Sequence, residues 1–209
     1  MKILAIDTAA GDCSIALWED GRERAFLHKK AERDQAAILP QLVADVMGQT
    51  RVDALVVNVG PGSFTGIRIG LAFAKGLSLG WGLPLKGIDS FTATYLSLAS
   101  DPPPEDVLVS IDARRVDVFC KRFQGRAPFS APPQNLTRED VEKILTSPHP
   151  PLVAGNGVHP FLEGIPYTEV PSLWQGAGRL AHAFFKGPAH LIAPLPFYVR
   201  DADAKRLVQ

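Results

Sequence analysis

The chain has 209 residues, 46% of them hydrophobic, which is enough apolar material for a sizeable core in one domain or two small ones. Lys plus Arg and Asp plus Glu each number 22, so no net positive field gathers nucleic acid or an anionic membrane. Any RNA contact has to be local or shared with a partner. The chain opens with three strand-like segments, "KILAIDT", "CSIALWE" and "RERAFLHKK", separated by the turn signals "AAGD" and "EDGR". Next, "AERDQAAILPQLVADVMGQ" repeats apolar residues at helical spacing, with Pro40 expected to cost it a hydrogen bond and bend it. The strand "ALVVNV", a helix after Thr65, the strand "PLKGID" and a short helix "SFTATYLSLAS" complete a βββαβα order.

"DPPPED" interrupts this series and is the best linker candidate, because consecutive prolines fix extended backbone. Beyond it, "VLVSIDA", the turn "RR" and "VDVFCKRF" repeat the opening strand pattern, followed by a helix "TREDVEKIL", a strand "PLVAGNG" and a helix "GRLAHAFFK". The expected architecture is therefore α/β with two related lobes, residues 1–100 and a degenerate copy over 101–209. Asp7 and Asp112 fall at equivalent strand ends in the two copies. Each either caps its own turn or faces a shared cleft where a carboxylate could orient a metal-bound nucleotide or a water.

The stretch "GPGSFTG" misses the known phosphate loops. No Lys follows Gly66, and Gly60, Gly62 and Gly66 are one residue too widely spaced for the dinucleotide pattern. Ser63 directly follows Gly62 and so does not form a nucleophile elbow. Ser63 and Thr65 are read as helix caps, with a smaller chance of an anion contact. Within the following helix Gly66, Gly70, Ala74 and Ser78 recur every four residues, flanked by Ile67 and Leu71, and would let another backbone approach closely. Either both sides of the helix are buried within its own lobe, or this face is shared with a partner subunit.

The five histidines show no metal-ligand spacing, and no metal site is expected. Cys13 and Cys120, without a close-spaced pair, read as small buried hydrophobes in a reducing cytoplasm, and "MKILAIDT" does not read as a secretory leader. The run from Ile67 to Leu85 carries Arg68, Lys75 and several glycines and is a poor membrane span. The basic cluster Arg114, Arg115, Lys121, Arg122 and Arg126 reads more readily as a solvated strand edge than as a phosphate site.

Five segments, "ILAIDTA", "VGPGSFTGIRIGLAFAKGL", "SIDARRVDVF", "AGNG" and "FYVRDADAK", give the chain a resemblance to the TsaB (YeaZ) family, relatives of the TsaD transferases. The resemblance implies an actin-like (ASKHA, ribonuclease H-like) fold of two lobes. It implies a role in making N6-threonylcarbamoyladenosine at position 37 of ANN-decoding tRNAs. There the chain would be a non-catalytic scaffold that pairs with a TsaD-like paralogue, with a TsaE-like ATPase as accessory, tRNA contacted mainly through the complex, and a homodimer when alone.

The family's partner surface maps onto Gln35–Met47 and Thr65–Leu79, with Ile38, Leu42, Gly66, Ile67, Gly70, Leu71, Ala74 and Ser78 as expected contacts. A vestigial nucleotide site maps onto Asp7, Thr8, Asp112, Arg114, Gly155, Asn156 and Gly157. It requires no cofactor and would take at most weak ATP or ADP with Mg²⁺, there or at a site shared with the partner. The His-x-x-x-His metal pair of TsaD proteins, placed on the helix that reads "AERDQAAILPQL", has no counterpart here. Two other readings stand beside this one: an actin-like ATP-binding enzyme using Asp7 and Asp112, and a metallopeptidase suggested by older glycoprotease-like, peptidase M22-like labels.

Overall fold

A computed structural model describes residues 1–31, 34–113, 116–125, 132–157 and 164–199. The first half contains β1 (Lys2–Asp7), β2 (Cys13–Glu19), β3 (Arg22–Lys29), α1 (Gln35–Met47), β4 (Ala54–Asn58), α2 (Phe64–Trp81), β5 (Leu85–Ile88) and α3 (Ser90–Leu96). The second half contains β6 (Asp106–Asp112), β7 (Val118–Gln124), β8 (Gln134–Leu136), α4 (Arg138–Leu145), β9 (Leu152–Gly155) and α5 (Gly176–Phe185). The first sheet has the order β3-β2-β1-β4-β5, with β2 antiparallel to its neighbours and β1, β4 and β5 parallel. The second, β8-β7-β6-β9, repeats this pattern around β6. Asp7 and Asp112 each end the strand at the heart of their sheet, as the internal repeat predicts.

Alternation along β1 sorts its side chains onto two cores. Leu4 and Ile6 join one cluster with Leu39, Leu42, Val43 and Val46 of α1 and Ile67, Leu71 and Ala74 of α2. Ile3 and Ala5 join another with Trp18, Ala93 of α3, and Ala177, Leu180 and Ala181 of α5. Phe91 and Tyr95 of α3 pack on Val107, Val109 and Phe123 of the second sheet, whose other face is covered by Val141 and Leu145 of α4. The layers thus run α1 and α2, first sheet, α3 and α5, second sheet, α4. In the chain the first sheet ends at Ile88 and the second begins at Asp106. Residues 171–199, however, return to the first half, through α5 and through bonds such as Ile192 N–H to Gly87 O (2.9 Å) and Phe197 N–H to Val59 O (2.8 Å).

Local chemistry explains the helix ends. The Ser63 hydroxyl accepts from Gly66 N–H (3.2 Å) and starts α2 at Phe64, so Thr65 lies inside the helix and does not cap it. Gly82, in the left-handed conformation, ends it. Pro40 lies within α1 on its exposed side, where the carbonyl it leaves without a donor can turn to water. The three-residue strand β8 was not expected from the sequence. It is the counterpart of β3.

Candidate functional site

The ends of β1, β4 and β6 meet α3 and α5 at a cleft between the sheets. Asp7 is buried there, and its Oδ1 accepts from Ala9 N–H (2.9 Å) and from Asn58 Nδ2 (3.0 Å). Burial pushes its carboxyl above the usual carboxylate range; the bonds from Ala9 and Asn58 pull it back, and the Arg179 charge adds a smaller pull. Asn58 in turn accepts at Oδ1 from Gly60 N–H (2.8 Å) and Ser90 Oγ (3.0 Å), while Ser90 Oγ also lies within donating distance of Pro61 O (2.8 Å). From the second sheet, Asp112 offers its backbone N–H to Asn156 Oδ1 (3.2 Å). From α5, Arg179 donates through Nε to Trp174 O (2.9 Å) and through Nη1 to Thr94 Oγ1 (3.4 Å). These residues line a cavity of about 40 Å³. That is room for a water or two.

The structure places Asp7, Asp112 and Asn156 around this cavity and separates other candidate residues from it. Thr8 is turned away: its hydroxyl donates to Gly66 O (2.7 Å) and its carbonyl accepts from Gln35 Nε2 (3.2 Å). Gly155 and Gly157 are required by packing, because a Cβ on Gly155 would collide with Ser110 O and one on Gly157 would lie 2.5 Å from Val118 Cγ2. Arg114, Arg115 and Arg126 lie outside the described residues, and Arg122 is paired with Asp106 (2.6 and 2.7 Å). Helix α1 packs on the face of the first sheet that carries Leu4 and Ile6, and none of its residues lines the cavity. Its buried residue near the first hairpin, Gln35, donates to the carbonyls of Thr8, Gly11 (2.8 Å) and Asp12 (3.4 Å). Among the described residues no group of three or more His, Cys, Asp or Glu is placed to hold a metal. Asn58, Ser90, Thr94 and Arg179 carry no motif, and only their place beside strand ends and on a buried helix reveals them.

The small-residue stripe of α2 is not an outward docking face, and here the sequence expectation is corrected. Gly66, Ile67, Gly70, Leu71 and Ala74 are buried within the chain. A Cβ on Gly66 would collide with Thr8 O, and one on Gly70 with the Thr8 hydroxyl. Leu42 is buried under α1, Ile38 is half-buried, and half-buried Ser78 gives its hydroxyl to Leu83 O (2.6 Å). The glycines allow a close approach, and what approaches is Thr8, by its carbonyl at Gly66 and its hydroxyl at Gly70. The exposed positions of the helix pair include Ala36, Ala37, Pro40 and Ala44 with Gln41 and Asp45 on α1, and Ala72, Gly76 and Leu79 with Thr65, Arg68 and Lys75 on α2, Leu79 being 85% and Trp81 42% exposed. No helix among the described residues is long and apolar enough to cross a membrane.

Two sheets built on one strand–helix repeat, closing over a cleft at their strand ends, define an actin-like α/β protein. The fold is that of YeaZ from Pseudomonas aeruginosa, which superposes with a TM-score of 0.72 at 24% identity, over 94% of this chain and 99% of that one. A family model described as TsaD, tRNA N6-adenosine threonylcarbamoyltransferase, matches residues 27–128. The tRNA threonylcarbamoyladenosine biosynthesis protein TsaB of Buchnera aphidicola is 36% identical over 175 residues, 78% of each chain. The protein of the same name from Escherichia coli is 39% identical over 129 residues, 59% of this chain and 55% of the relative. The match thus spans about half the length of the Escherichia coli and Haemophilus influenzae relatives, 55% and 52%. The chain belongs to the TsaB family.

Proposed function

We propose that the chain serves tRNA threonylcarbamoyladenosine biosynthesis as a subunit without chemistry of its own, docking a TsaD-like transferase through the outer face of α1 and α2. The observation that carries this reading is that face. Its exposed positions carry alanines, a glycine, a proline, Leu79 and Trp81 among the charged and polar Gln41, Asp45, Arg68 and Lys75. Small side chains let a partner helix come close, and the two large apolar groups supply area to bury. The names carried by its relatives supply the pathway. The cleft supports the assignment of chemistry to the partner: its Asp7 carboxylate is held by a backbone N–H and an amide group beside a space of water size. A TsaE-like ATPase and tRNA join through the heterodimer, and the same face pairs two copies when the partner is missing.

Mixing the protein with its cognate TsaD-like paralogue tests this. Size-exclusion chromatography should show a stable heterodimer, and tRNA modification in a reconstituted mixture should require both chains. Ala72→Glu combined with Gly76→Arg should weaken pairing at least about tenfold without lowering the melting temperature. Wild-type pairing by that variant would remove this face from the assignment, and modification without this chain would remove the function.

A further inference from the structure

Helix α5 carries a cation into the cleft. The start of α5 is fixed against the first hairpin: Ala177 N–H donates to Ser14 Oγ (2.9 Å), and a side chain on Gly176 would collide with that hydroxyl. Ser14 stands directly opposite Asp7 in the β1–β2 ladder, so this contact sets the helix over the carboxylate end of β1. Arg179 follows in the first turn, steered by the Trp174 carbonyl and the Thr94 hydroxyl, and lines the same cavity as Asp7, Asp112, Asn58 and Asn156. Burial lowers the Arg179 guanidinium below the ordinary arginine range and the Asp7 charge raises it again, so the two groups feel one another across the cavity.

A metal–nucleotide does not fit these surroundings. Cofactor pockets run to roughly 300–1,000 Å³, against about 40 Å³ here. A divalent ion binds through carboxylates whose charge is not already answered. Here the Arg179 guanidinium, which does not lose its proton near neutral pH, lines the same cavity and repels a second cation there. The glycines expected to cradle a nucleoside are filled by the packing of β6.

We propose that Arg179 is the resident cation of this cleft: it takes the place of a divalent ion in the cavity that Asp7 lines, and while it is there the chain binds neither Mg²⁺ nor a Mg²⁺–nucleoside triphosphate between its sheets. Pairing with a transferase is not needed for this, so the test uses the isolated full chain. Mn²⁺ is titrated and followed by the electron paramagnetic resonance of the free ion, with Mg²⁺–ATP followed by calorimetry. The unaltered protein and Arg179→Lys should show no saturable binding. Arg179→Met, which keeps an apolar stem and removes the charge, should bind Mn²⁺ at least about tenfold more tightly, and Asp7→Asn added to it should abolish the gain. Circular dichroism reports whether Arg179→Met is folded. If it is not, Thr94→Val, which frees only Nη1, should give the same gain at smaller amplitude. Saturable Mn²⁺ or Mg²⁺–ATP binding by the unaltered chain, or a folded variant without any gain, overturns the proposal.

Discussion

Asp7 occupies surroundings that penalise its charge, and the consequence can be read in pH. Its folded-state pKa is raised, chiefly by burial, so the folded chain holds this proton more tightly than the unfolded chain does. Where the folded state binds more protons, stability falls as pH rises, here from the ordinary carboxylate range upward through the raised value. Asp7→Asn keeps an oxygen that can accept from Ala9 and Asn58 and carries no charge to desolvate. Thermal melts of both proteins from about pH 4 upward should therefore show the variant gaining on the parent as pH increases. A difference that stays flat, or that shrinks, would contradict the burial argument. Residues of this kind were only half legible in the sequence. A strand-end Asp is visible as a position, but its partner Asn58 and the distant Arg179 are ordinary polar residues until the fold sets them beside it.

At the scale of one element, α2 shows what periodicity can and cannot report. Spacing of four identifies Gly66, Gly70 and Ala74 as a close-packed seam, and close packing is what the structure has. The direction of the seam is a tertiary fact, because either side of a helix can face its own sheet. The two faces respond differently to the same chemical change. At Gly66 a methyl group meets the Thr8 carbonyl, which is backbone and cannot swing aside. Gly66→Ala should therefore lose stability, overpacking costing about 1–3 kcal/mol and outweighing a helix-propensity gain of at most about 1 kcal/mol. At Gly76 nothing lies within 4 Å of the added carbon. Gly76→Ala should gain up to about 1 kcal/mol. Urea titrations at constant m-value would check both signs, and equal effects would mean that the helix is rotated from the orientation described. The strand β8 escaped sequence reading for a related reason. Gln134-Asn135-Leu136 is too short and too polar to alternate, and it forms because β7 offers an edge.

For the molecule as a whole, the repeat was legible and the crossing of its halves was not. Apolar strands with turn residues between them announce the two sheets, since period-two burial leaves a mark in the sequence. That α5 closes the first sheet leaves no such mark: "GRLAHAFFK" is amphipathic and would suit either lobe. Because α5, α3 and residues 191–199 join the halves, unfolding should be one event. Fluorescence from Trp18 and Trp174, which meet edge to face at 4.8 Å, and far-ultraviolet circular dichroism should give coincident urea transitions. Two separated transitions would show that the sheets unfold independently.

The dependence of the first sheet on α5 also has a temporal side. Ile3, Ala5, Ala16 and Trp18 leave the ribosome early, yet the helix that shelters them ends at Phe185. At bacterial elongation rates of roughly 5–20 residues per second, that apolar surface stays bare on the order of ten seconds or longer in every newborn chain. Nascent chains halted before residue 176 should therefore be cut readily by protease within their first hundred residues and be bound by holdase chaperones. Chains released beyond α5 should resist both.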